Sequence, residues 1–168
     1  MTHQFNIKST ICGVSLSEFK YIAATPPLHE AICRRLSGDH FEIIESRVEG
    51  NVYILRQVFH ADVKMPQFAK KLLKDAFLVR RQDTSNIEQL TSTIRLKSNV
   101  PFHASCQRIV TGDAKQILVQ SDWTLHIKAP FFRGMLERHA EAELRRYSEI
   151  EMTILEDELK RACLSLRS

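Results

Sequence analysis

The chain has 168 residues, enough for one domain with a sizeable core, and its 43% hydrophobic and 26% charged residues are those of an ordinary globular protein, neither disordered nor fibrous. Formal net charge is +4, but 24 basic residues stand against 20 acidic ones and the signs are interspersed, so no nucleic-acid partner is expected. No apolar run approaches the roughly 20 residues of a membrane span, and Met1-Thr2-His3-Gln4-Phe5 lacks the pattern of a secretory signal, so a cytoplasmic location is expected.

Residues 3–11 alternate, with Phe5, Ile7, Ser9 and Ile11 against Gln4, Asn6, Lys8 and Thr10, which predicts a half-buried strand. Ser15-Leu16-Ser17-Glu18-Phe19 combines a hydroxyl cap with an acid three positions on, so a short helix starts there. Thr25-Pro26-Pro27 interrupts it, and a second helix runs from Pro27 through Arg35 to close at Ser37-Gly38-Asp39. Phe41 to Val48 and Val52 to Val63 then flank Glu49-Gly50-Asn51, a hairpin turn. Leu55, Val58 and Phe59 place apolar groups on both faces of the second of these strands, which implies cover on both sides or a local bulge. Residues 65–73 break the alternation and read as a short amphipathic helical turn.

Four further strands are predicted at Ala76 to Arg81, Leu90 to Lys97, Phe102 to Val110 and Gln116 to Lys128. In the last, Ile117, Val119, Ser121, Trp123, Leu125 and Ile127 share one face, and a one-residue slip would expose Trp123. After Pro130 the period becomes helical. Phe132, Leu136, Ala140, Leu144, Tyr147, Ile154, Leu159, Ala162 and Leu166 approximate one apolar stripe, opposed by a solvated face that includes Glu137, Arg138, Glu141, Arg145, Arg146, Glu149 and Lys160. A helix this long must lie across the sheet to bury its stripe. With no repeat and no linker, residues 1–168 read as a single domain.

This order of elements resembles the START-like superfamily, also called SRPBCC, and its helix-grip arrangement. The resemblance implies an α+β fold in which about six to seven antiparallel strands curve around a long C-terminal helix, with two short helices after the first strand. Two stretches, Val63 to Leu73 with Pro66 and His126 to Glu137 with Pro130, look like the uncharacterised bacterial domain-of-unknown-function family 2505. That family usually has smaller residues, often two glycines, where this chain has Phe132-Arg133-Gly134. Members of the superfamily commonly hold a hydrophobic ligand between sheet and helix, and the resemblance implies a hydrophobic small molecule or lipid here.

Chemistry-bearing motifs are absent. His60, His103 and His126 lie on predicted strands without metal-ligand spacing, and the faces opposite Phe102 and Trp123 place the last two outside the core. Cys12, Cys33, Cys106 and Cys163 form no Cys-x-x-Cys pair and read as reduced thiols; neither metal nor cofactor is expected. There is no nucleophile elbow and no phosphate-cradling glycine loop, and His103 and Cys106 face opposite sides of their strand. Binding is therefore expected ahead of catalysis.

The positions expected to line a cavity are Ile94, Phe102, Ala104, Ser121, Trp123, Leu125, Leu136, Leu144 and Tyr147; a filled core would use the same residues. Ser92 and Ser121 are small enough to leave room, and Tyr147 can offer its hydroxyl to a ligand head group. The alternative to a binding domain is a cyclase or aromatase-type enzyme pairing Tyr147 with an inward serine. A third reading is peripheral membrane contact through Lys70, Lys71 and Lys74.

Overall fold

The computed structural model describes residues 2–38, 40–61 and 78–168. Strand β1 (His3–Cys12) leads into helices α1 (Leu16–Ala23) and α2 (Pro26–Ser37), followed by β2 (Phe41–Glu49), β3 (Val52–His60), β4 (Leu78–Asn86), β5 (Thr91–Ser98), β6 (Phe102–Gly112), β7 (Gln116–Ile127) and α3 (Arg133–Arg167). The strands form one antiparallel sheet in the order β1-β7-β6-β5-β4-β3-β2. The α1–α2 pair therefore carries the chain from one edge of the sheet to the other, and the curved sheet wraps α3. This is the helix-grip fold.

Local chemistry accounts for the boundaries. Ser15 Oγ accepts from the Glu18 N–H at 3.1 Å while Glu18 Oε1 accepts from the Ser15 N–H at 3.1 Å, a reciprocal cap that starts α1. Proline occupies the first turn of α2, where a missing N–H costs nothing. At the β6–β7 turn Gly112 lies so close to the Gln116 carbonyl that a Cβ there would collide with backbone, and Asp113 Oδ1 accepts from the Lys115 and Gln116 N–H groups.

Several expectations shift. The strand expected to end at Arg81 continues to Asn86, because Thr84 and Asn86 still pair with Ile54 and Val52. β3 is regular, and the register break lies instead in β2 between Ile43 and Glu45. The residues 65–73 expected to be helical, and the Val63–Leu73 stretch, lie outside the described residues. The apolar stripe of α3 is also different: Phe132 and Leu166 are exposed, whereas Ser148, Glu151, Met152, Leu155 and Cys163 join Leu144, Ile154 and Leu159 inside.

Among the described residues the interior holds two apolar clusters. One gathers Ile11, Phe19, Leu28, Val110, Ile117, Val119, Met152, Leu155 and Leu159 around the α1–α2 end. The other gathers Phe59, Val79, Ile94, Leu96, Ala104, Trp123, Leu125 and Leu144. Between them the inward side chains turn polar.

Candidate functional site

Alternation on the strands puts charged residues inside. On β6 the inward series runs Ala104, Cys106, Arg108, Val110; on β7 it runs Val119, Ser121, Trp123; on β3 it runs Leu55, Gln57, Phe59. β4 contributes Arg81 after Val79, and α3 supplies Tyr147, Ser148 and Glu151 between Leu144 and Met152. A polar belt thus crosses the core at one level.

Its centre is Arg81, 4% exposed. Its Nε and Nη2 donate to the two carboxylate oxygens of Asp83 at 2.7 and 2.8 Å, a bidentate fork. Nη2 also donates to Glu151 Oε1 at 2.8 Å and Nη1 to the Tyr147 hydroxyl at 2.9 Å, so four of its five donors are engaged. Arg108 grips the same glutamate from β6, with Nη1 and Nη2 each 3.3 Å from a Glu151 oxygen, while its Nε donates to Ser121 Oγ at 2.9 Å. Glu151 therefore lies between two guanidinium groups.

These contacts set the protonation states. Burial alone would push the Glu151 carboxyl up, but the charges of Arg108 and Arg81 prevail and hold it at about 2. Burial pushes the Tyr147 phenol up to about 12 against the opposing pull of Arg81, so it stays protonated. The belt carries two guanidiniums and two carboxylates, Asp83 and Glu151, and its formal charges balance.

A cavity of about 90 Å³ opens beside the belt, between α2, the sheet and α3. Arg81, Asp83, Arg108, Glu151, Gln57 and Ser92 supply much of its polar wall, and Leu28, Ile32, Leu55, Met152 and Leu155 lie on its apolar side. α2 adds His29 and Cys33, one helical turn apart on the same face. His29 stacks on Tyr53 with ring centroids 4.5 Å apart and donates Nε2–H to the Ala23 carbonyl at 2.8 Å. Burial holds its pKa below the usual histidine range, which leaves a neutral ring with Nδ1 bare. The Cys33 thiol donates to Gln57 Oε1 at 2.8 Å and is pushed up to about 11 by burial, so it is no thiolate nucleophile at neutral pH.

The nine sequence-expected lining residues fall elsewhere. Ile94, Ala104, Trp123, Leu125 and Leu144 are buried in the second apolar cluster, with Phe102 and Tyr147 packed against it, and Leu136 is half-buried. Ser121 is buried under Arg108. None of the nine is among the side chains lining the 90 Å³ cavity. Tyr147 nevertheless touches the belt through Arg81, and Ser92 lies on the cavity wall. Sequence reasoning missed Arg81, Arg108 and Glu151 by treating interspersed charge as solvated. The available signal was their position: each is an even number of residues from an inward apolar neighbour on its strand, or two helical turns from Leu144 on α3.

His103 and His126 are exposed while Cys106 is buried, as the strand alternation requires. No cluster of metal-ligating side chains occurs among the described residues, and none of their helices is long and apolar enough to cross a membrane.

The architecture is the helix-grip fold that the START-like resemblance implies. The chain is similar to the Zhui aromatase/cyclase from Streptomyces sp. R1128, with a TM-score of 0.66 and 13% identity over 96% of this chain and 95% of that one. A protein from Thermus thermophilus matches with a TM-score of 0.66 and 15% identity over 95% and 99%. Norcoclaurine synthase from Thalictrum flavum matches with a TM-score of 0.59 and 13% identity over 100% and 88%. At such identities the likeness shows the fold alone. No protein-family model matches the chain, and no curated protein matches it.

Proposed function

We propose that the chain is a binding domain for a small, neutral, amphipathic molecule, held with its apolar side against Leu28, Ile32 and Met152 and a polar oxygen toward Arg81 and Arg108. The observation that carries this reading is the charge-balanced belt on the wall of the cavity. A buried ion cluster contributes no more stability than well-packed apolar side chains of similar volume, so its retention in a core points to recognition. Because the belt's formal charges already cancel, an added carboxylate would be buried without a counterion, whereas a carbonyl or hydroxyl only exchanges hydrogen bonds. Drug-sized ligands occupy pockets of roughly 300 Å³ or more, and a cavity of about 150 Å³ takes benzene. At about 90 Å³ this one suits a compact molecule or the head of a larger one, which is how a lipid would engage it.

The fold supports the reading, since its members enclose ligands between sheet and helix. Membership of the 2505 family is a finer proposal resting on the stretches at 63–73 and 126–137. A second reading, a cyclase-type enzyme, is favoured by one contact: the Tyr147 phenol is held by a buried guanidinium, with neutral His29 on the neighbouring cavity wall. Tyr147 stands off the cavity wall and would then act through Arg81, orienting the guanidinium that faces a substrate oxygen, and its raised pKa suits that neutral role better than proton abstraction.

Thermal shift and calorimetry with acetone and with the isosteric anion acetate, both small enough for about 90 Å³, at millimolar concentration, test the binding reading. The ketone raises the melting temperature, the carboxylate does not, and Ser92→Leu, which fills the cavity from β5, removes the response. An equal response to both compounds, or a ketone response that survives Ser92→Leu, overturns it. Native mass spectrometry of freshly purified protein separates carrier from enzyme: a carrier returns its cargo unchanged, an enzyme returns a product that Tyr147→Phe no longer forms.

A further inference from the structure

We propose that one end of the sheet, with the connection that follows it, docks on an anionic lipid bilayer. On the outward face, Arg80 of β4 lies directly opposite Lys97 of β5, Lys97 opposite His103 of β6, and His103 opposite His126 of β7. All four are exposed. Arg95 shares that face, two residues before Lys97. The outward positions of β4, β5 and β6 carry no acidic side chain, and the outward acid of β7, Asp122, is bonded by Asn6 Nδ2. Like charges directly opposite one another destabilise a sheet. Arg80, Arg95 and Lys97 form no ion pair among the described residues, so this row sets adjacent cations side by side with no described acid paired to them.

A second feature borders the same end. Residues 128–132 join β7 to α3 and are tied to the β5–β6 turn by the Lys128 N–H, which donates to the Pro101 carbonyl at 3.1 Å. This connection leaves Phe131 75%, Phe132 62% and, one turn into α3, Met135 45% exposed. Lys128 and Arg138 flank them, also exposed. Exposed aromatics beside cations that have no ion pair among the described residues match the chemistry of an anionic leaflet, where rings settle at the headgroup level and cations meet phosphates. A nucleic acid fits less well, because the outward face of β4–β6 presents threonine, serine and glutamine with no Phe, Tyr or Trp on which bases could stack. The docking surface shares no residue with the cavity, so either proposal can fail alone.

Co-sedimentation of the full chain with phosphatidylcholine vesicles, with and without about 30% phosphatidylserine, at roughly 0.1 M and 0.5 M salt, tests the proposal. Binding is expected to the anionic vesicles, and to weaken at high salt. Each cation near such a surface is worth roughly five-fold in affinity, so Arg80→Gln/Lys97→Gln weakens binding roughly 25-fold. Phe131→Ser/Phe132→Asn weakens it while leaving the salt dependence in place. Circular dichroism and thermal unfolding verify that both variants fold, as expected for exposed positions. Three results overturn the proposal: no sedimentation with anionic vesicles, sedimentation unchanged by both variant pairs, or capture by a short DNA duplex that equals vesicle binding and ignores the phenylalanines.

Discussion

Arg81 on β4 and Glu151 on α3 are 70 residues apart in sequence and meet at 2.8 Å in the interior. Their side chains are 4% and 6% exposed. The contact joins the sheet to its helix through a charged pair where the flanking levels use Trp123, Leu144 and Met152. Glu151 also holds Arg108, so removing it leaves Arg108 without its carboxylate and Arg81 with Asp83 alone. Glu151→Ala is expected to cost about 3–5 kcal/mol in urea unfolding. Glu151→Gln, whose amide oxygen still accepts a hydrogen bond, is expected to cost less. A loss below about 1 kcal/mol for the alanine variant would mean the belt is hydrated and loosely held.

Stability should fall in acid, and the sign follows from the direction of the shift. The Glu151 carboxyl titrates at about 2 in the folded protein against 4.5 ordinarily, so between those values the unfolded chain binds more protons than the folded one. The contribution is fully present above pH 4.5 and is lost as pH drops toward 2, on the order of 3 kcal/mol. Glu18, held down by Arg167, titrates over the same window, and so contributes to the wild-type slope. The readout is therefore the difference between wild type and Glu151→Gln in denaturant unfolding at pH 6 and pH 3. The variant should lose distinctly less stability over that interval; parallel losses would place the acid sensitivity elsewhere.

Much of the fold was legible because patterning and capping agree. The Ser15–Glu18 cap, the alternation of β1 and β7 and the uninterrupted helical period after Pro130 each point to the element found. The belt was not legible by the same reading, which sorted residues by polarity before position. Arg108 follows Ala104 and Cys106 at inward parity, and Arg81 follows Val79; a charge at such a place is buried whatever its type, unless the strand twists out of register. Partners decide whether that burial is tolerable, and Glu151 lies 43 residues beyond Arg108. That distance hid the pairing, because a sequence shows which charges must go inside but not which of them meet.

The entry to α3 yields the last prediction. Phe132 caps the helix in the left-handed region at φ 61°, and no side-chain cap bond accompanies it. A residue with a Cβ is disfavoured there by roughly 1–2 kcal/mol relative to glycine. Phe132→Gly relieves that strain, while the greater freedom glycine brings to the unfolded chain offsets part of the gain. The ring is largely exposed, so little burial is lost. The net expectation is a stabilisation of about 1 kcal/mol or less, seen as a higher denaturation midpoint with an unchanged slope. A clear loss of stability would show that the Phe132 ring holds the β7–α3 connection in place, and that its exposure is maintained against the folded state's own preference for glycine at this turn.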